Sequence, residues 1–207
     1  MDWQALFLSL RLASTCTLLL VLVGLPLSFF LSQSELFWVE FLETFFSLPM
    51  VLPPTVLGFY LLLALGKTGL AFTFTGLLIA SVLSSMPFAF QSFLAAFRSI
   101  EREYLERSWT LGEGQWMTLF RVAIPLAREG IISGAILAFS HTLGEFGVVL
   151  MIGGNIPGVS RTLSIALYDQ VESFNYADAN RTAFVLLSVS IVSMTVVSKL
   201  RKTARRS

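Results

Sequence analysis

His141 and Glu145 are the pair in this sequence whose types and spacing best suit chemistry. They stand four residues apart in "AFSHTLGEFGVVLMIGG" (residues 138–154), so on a helix they share one face. An imidazole beside a carboxylate is an acid–base pair or two ligands of a metal. H-x-x-x-E alone lacks a third ligand or a nucleophile, and a chain with one His and one Cys cannot build a His/Cys cluster. No catalytic residue and no metal site are therefore expected. The stretch around the pair is apolar. Either it does not face lipid, or the pair marks a pathway through it.

The elements that must position the pair are membrane elements. Of 207 residues, 55% are hydrophobic and 13% charged, with a mean hydropathy of +0.77. Soluble domains carry about 25% charged residues, so the solvent of this chain is largely lipid bilayer. A net charge of +1 points to no nucleic acid and no acidic partner. Cys16 lies alone in an apolar run and cannot form an internal disulfide. The first apolar run is too long for a signal-peptide core and has no basic segment before it, so it is expected to be a span.

Apolar runs of about 20 residues predict an all-α integral membrane domain over residues 1–207. Five spans are expected at residues 8–31, 42–65, 74–97, 125–152 and 178–199. A cytoplasmic loop covers 98–124 and a periplasmic loop 153–177. Basic residues set the orientation. Arg98, Arg102, Arg107, Arg121 and Arg128 cluster around the loop, and Lys199, Arg201, Lys202, Arg205 and Arg206 fill the tail. Both regions fall on one side, the cytoplasm, which leaves the N-terminus outside. The Ser32–Glu40 connection, with Glu35 and Glu40, adds nothing to this.

Breakers stand in the second and third spans. In "SLPMVLPPTVLGF" Pro49, Pro53 and Pro54 each remove a backbone donor, and Pro87 repeats this beside Ser81, Ser84 and Ser85. Carbonyls freed at membrane depth need neighbours or a cavity. These are either kinks and small-residue packing or irregular helix lining a path. Pro53, Pro54, Thr55, Gly144, Glu145 and Gly147 are the candidates for the path or its gate.

The stretch "EYLERSWTLGEGQWMTLFRVAIPLA" (residues 103–127) is amphipathic. Trp109, Leu111, Trp116, Leu119 and Phe120 form a greasy surface with charges between them. Gly112 marks a turn, and Pro125 suits the first turn of the next helix. By itself this is an interfacial helix on lipid. Its spacing, however, resembles the EAA loop of bacterial ABC-importer permeases: Glu-Ala-Ala, three residues, Gly, nine residues, Ile, one residue, Leu-Pro. Glu106, Arg107 and Ser108 stand at Glu-Ala-Ala, Gly112 at the glycine, Val122 at Ile, and Ile124-Pro125 at Leu-Pro. Arg107 and Ser108 depart from the alanines; Val122 and Ile124 are conservative changes.

The resemblance implies the type I permease fold of ABC importers, with a coupling helix between spans three and four. That helix would dock in a groove of a separate ATPase, two copies of which drive alternating access. It also implies a permease homodimer, a periplasmic binding protein and a place in the bacterial inner membrane. Further stretches, "SLPMVLPPTVLGFYLLLALG" and "HTLGEFGVVLMIGGNIPGVSRTLSIALYD", resemble the molybdate permeases, with tungstate and sulfate/thiosulfate permeases sharing a looser form. A molybdate-binding protein is then the expected partner. Sulfate systems of this family use two different permeases, so a heterodimer stays open.

No G-x-x-x-x-G-K-[ST] loop is present, and Gly66-Lys67-Thr68 lacks the earlier glycine. ATP–Mg must then be bound by the partner ATPase, and this chain is neither an enzyme nor a cofactor carrier by itself. A secondary transporter would show an internal repeat and several intramembrane carboxylates; Glu145 is the one clear candidate. In the outer loop, "RTLSIALYDQVESF" predicts a short helix with Leu163, Ala166, Leu167 and Val171 on one side. It either packs on the chain's own span ends or also receives the binding protein. Arg161 and Arg181 are candidates to meet that partner's acids or to steer the anion. At 1.5 Å per residue Glu145 lies about 30 Å above Pro125, in the outer half of its span. A carboxylate repels an oxyanion, so Glu145 suits capping of freed backbone groups or bracing of a gate.

Overall fold

The computed structural model describes residues 2–34 and 37–204, with side chains through residue 199. Glu35, Arg205 and Arg206, and the side chains of Arg201 and Lys202, lie outside this description. Every regular element among the described residues is helical. Helix α1 (Trp3–Ser32) is capped by Asp2, whose carboxylate accepts the Ala5 amide at 3.0 Å. It is followed by α2 (Phe37–Val51) and α3 (Pro54–Gly66). Thr73 caps α4 (Phe74–Arg98), accepting the Gly76 amide at 3.1 Å.

Beyond α4 lie α5 (Arg102–Thr110) and α6 (Gln115–Thr118), then a π turn (Leu119–Ala123) and α7 (Ile124–Gly144). Then come α8 (Gly147–Gly153), α9 (Leu163–Glu172) and α10 (Tyr176–Ala204).

Helices α1, α4 and α7 form the centre and pack most extensively on one another. Their shared core includes Cys16, Leu20, Phe29, Phe93, Phe97 and Ala138. Phe29 meets Phe97 edge-on at 5.5 Å. Gly130 and Gly134 let α7 approach α4 closely: a Cβ at Gly130 would stand 2.5 Å from Ala96 Cβ. Helix α10 covers α7 and α9 and leaves Phe184, Leu187, Ile191 and Met194 outward, as a lipid-facing helix must.

Four helical stretches are long and apolar enough to cross a membrane: Trp3–Ser32, Phe74–Arg98, Gln115–Gly144 and Tyr176–Lys199. The run expected as one span over 42–65 is two helices, α2 and α3, bent by 107°. The cause is local. Leu52 precedes Pro53 and Pro53 precedes Pro54, and a residue before proline is pushed out of the α region. Pro53 accordingly takes φ −55°, ψ 131°, and Pro54 opens α3.

The fourth helix also differs from the expected 125–152. It begins at Gln115, ten residues earlier, and stops at Gly144. Pro125 stands in the first turn of α7, as expected, but α6 and the π turn before it continue the same helix. A proline lacks the N–H for the carbonyl four residues back and collides with it; the π turn just before widens the helix so that it passes through. The outer-loop helix is present as α9, with Leu163, Ile165 and Ala166 buried among α1, α7 and α10. Val171, expected on the packed side, is exposed, because burial is confined to the first turns.

Candidate functional site: two helix breaks and a glycine elbow

Helix α7 ends at Gly144, and Glu145 is extended (φ −65°, ψ 130°). Its carboxylate, 8% exposed, turns forward and accepts the Val148 amide at 3.0 Å. Glu145 thus satisfies an orphan donor at the start of α8, and the negative charge suits that helix end. On the other side of the break Ser164 of α9 donates to the Leu143 carbonyl at 3.1 Å. At the far end of α8 the Phe72 amide donates to the Ile152 carbonyl at 2.8 Å.

The break in α7–α8 faces the break in α2–α3. A Cβ at Gly147 would lie 2.8 Å from Pro54 Cβ, and one at Gly58 would lie 2.8 Å from Met151 Cβ. Glycine is required here by close approach rather than by backbone conformation. Between the breaks is a cavity of about 110 Å³, lined in part by Pro49, Pro54, Ser84, Phe88, His141 and Glu145. Of the path candidates, Pro54, Glu145 and Gly147 therefore converge. Pro53 and Thr55 are exposed beside them, and Gly144 is exposed with nothing near its Cβ position.

His141 stacks on Phe88 with centroids 4.2 Å apart. Its Nε2 is 3.6 Å from Glu145 Oε2, beyond hydrogen-bond reach, while its Nδ1 is 3.0 Å from Ser85 Oγ. Ser85 is in turn 2.7 Å from Thr142 Oγ1, which back-bonds to the Ala138 carbonyl at 2.9 Å. His141 is thus the end of a polar run, through Ser85 and Thr142, that ties α4 to α7. Ser85 and Thr142 were not singled out as partners, because nothing in a sequence says which serine of α4 faces which turn of α7. Among the described residues no three His, Cys, Asp or Glu side chains cluster as metal ligands.

At the other end, α5 is exposed and charged, with Arg102–Glu106 at 3.0 Å and Arg107–Glu103 at 2.6 Å along its surface. Leu105 is 1% exposed and anchors it in the main core. Gly112 has φ +83° and ends α5. Val122 and Ile124 pack against the core, and Pro125 is exposed. The motif positions thus divide: Glu106, Arg107 and Gly112 on or beside α5 face outward, while Ser108 is buried.

Arg161 and Arg181 are not free charges. Arg161 pairs with Asp169 at 3.0 Å and Asp2 at 3.6 Å, clasping α9 to the start of α1, and Asn155 accepts from it at 2.6 Å. Arg181 lies 3.4 Å from Asp178. Arg161 thus already meets two acids of its own chain.

The chain belongs to the family described as "Binding-protein-dependent transport system inner membrane component", which matches residues 17–204. It is 46% identical over 192 residues to the molybdenum transport system permease protein ModB of Azotobacter vinelandii, covering 86% of this chain and 85% of the relative. The ModB of Escherichia coli (strain K12) is 29% identical, over 99% and 95% of the two chains. In fold the chain is similar to a chain of the inward-facing MetNI methionine ABC transporter, with a TM-score of 0.76 and 15% identity over 97% and 96% of the chains.

Proposed function

We propose that this chain is the pore-forming subunit of an ATP-driven molybdate importer of the bacterial inner membrane. Two copies form the path. Two ATPase subunits bind ATP–Mg below it, and a periplasmic binding protein delivers the anion from above. The likeness to two molybdenum permeases over most of the chain supports the substrate. The observation that carries the mechanism is the Glu106–Gly112–Pro125 frame, which begins on the short exposed helix α5, anchored in the core by Leu105, and ends in the first turn of α7.

In this reading α2–α3 is one bent span among five, the N-terminus is outside and the C-terminus is cytoplasmic. The domain is 1–207. Helix α5, with Glu106, Arg107 and Ser108, and the positions Gly112, Val122, Ile124 and Pro125 form the ATPase-coupling region. Pro53, Pro54, Thr55, Gly144, Glu145 and Gly147 form the gate. No tight anion site in the membrane is needed, because strong binding midway slows release; selectivity rests with the binding protein.

The test is ATPase activity of the reconstituted complex with binding protein loaded with molybdate, tungstate or sulfate. Stimulation is expected with molybdate. Stimulation by sulfate alone would move the chain to the alternative oxyanions, and no stimulation by any loaded protein would remove the importer reading.

A further inference from the structure

Ser108 stands where the motif has alanine, and the structure gives it partners that an alanine cannot have. Helix α5 closes in a Schellman turn: the Gly112 amide donates to the Trp109 carbonyl at 2.9 Å and the Glu113 amide to the Ser108 carbonyl at 3.2 Å. This geometry brings the Glu113 side chain back over the last turn of α5. The Ser108 hydroxyl, in a residue 5% exposed, donates to Glu113 Oε2 at 2.8 Å. Thr118 Oγ1 is 2.9 Å from the same hydroxyl oxygen. Ser108 has one proton and gives it to the carboxylate, so Thr118 is the donor in that contact. Arg121, in the π turn, donates to Glu113 Oε1 at 3.1 Å. Thr118, Ser108 and Arg121 thus donate in one consistent order toward a single ionised group. The carboxyl of Glu113 is held below the usual glutamate range, first by Ser108 and then by Arg121.

We infer that Glu113 is a positioning residue that fixes the angle between α5 and the Gln115–Gly144 helix, so that force on α5 reaches that helix. The connection needs such a brace. Only Leu111 to Gly114 separate the two helices, and Gly112 and Gly114 have nothing within 4 Å of a Cβ position. Two unsupported glycines make a hinge; the polar clamp across them makes a stiff elbow. The inference rests on the reading of α5 as the ATPase-docking helix.

The test uses the whole transporter in liposomes with its ATPase and binding protein, recording anion taken up per ATP hydrolysed. Glu113→Ala is expected to lower this ratio roughly fivefold or more, with ATP hydrolysis and membrane abundance maintained. Hydrogen exchange at the Gly112 and Glu113 amides should rise with it. Glu113→Gln keeps one acceptor oxygen, enough for Ser108 or Arg121 but not for both as now placed, and should fall between wild type and Glu113→Ala. A merely structural role would lower abundance and hydrolysis together and leave the ratio alone. If Glu106→Ala uncouples transport while Glu113→Ala keeps the wild-type ratio and exchange, the clamp is wrong and the docking reading stands. If Glu106→Ala and Gly112→Glu also keep the wild-type ratio, the docking reading fails, and an unchanged exchange rate in Glu113→Ala rejects the clamp independently.

Discussion

The two ends of the Gln115–Gly144 helix are both interruptions, and they are built in opposite ways. At the Gln115 end the chain turns through exposed glycines, and a charged clamp spans the turn. At the Gly144 end two breaks meet across a small cavity, and one buried carboxylate caps the restart. Paired groups around a surface turn stiffen it at little desolvation cost. A lone carboxylate near a cavity, with glycine against proline, leaves room for rearrangement. The contrast suits a lever at one end and a gate at the other, with a continuous helix between them.

The largest effect should come from Glu145→Ala. It leaves the Val148 amide buried without an acceptor, a loss of about 1–3 kcal/mol. Uptake should fall roughly tenfold or more with anion preference unchanged; a changed preference would place Glu145 on the anion instead. Glu145→Gln sharpens the point, because it keeps the acceptor and removes only the charge facing His141. Next is Gly147→Ala, whose Cβ must displace Pro54 at a cost of about 1–3 kcal/mol. Thermal unfolding in detergent and uptake should both fall, whereas ATPase docking, read by co-purification, should not. If Gly147→Ala unfolds and transports as wild type, the two breaks are not in contact.

At the lever end Gly112→Ala meets no neighbour, so its cost is backbone strain alone, about 1 kcal/mol. Coupling should weaken with stability almost intact. The clamp also sets a pH dependence. The folded pKa of Glu113 lies below its unfolded value. Its stabilisation is thus complete above the ordinary glutamate range and is lost as pH falls through the depressed folded value. Uptake per ATP should be flat across neutral pH and drop only in strong acid; a drop near neutrality would mean that another group controls the elbow. The smallest effect is expected for Arg161→Gln, which opens a partly exposed clasp worth at most about 1 kcal/mol. The salt dependence of uptake should stay as in wild type, and a changed one would assign steering to Arg161.

Different parts of this arrangement were legible to different degrees. The Pro53–Pro54 break follows from local sterics, and Gly112 from the need for a residue that tolerates positive φ. The start of the fourth helix was hidden. Trp116, Met117 and Phe120 alternate with polar groups like an interfacial loop, and only burial of Leu119 and Ala123 in the core extends the helix back to Gln115. Pro125 does sit in the first turn of α7, but a π turn joins that turn to the helix before it without a break. Glu113 lay outside the motif frame. The one signal for it was Ser108, a hydroxyl in place of alanine, which needs a partner once buried. Ser85 and Thr142 needed the packing of α4 on α7 before they could be joined to His141.

The most direct measurement is uptake of labelled molybdate into liposomes holding this chain with its ATPase, with loaded binding protein outside and ATP sealed inside. The account predicts accumulation that needs ATP and the binding protein together, and that collapses in Glu145→Ala. Accumulation driven by an ion gradient without ATP, or none under any of these conditions, would contradict it.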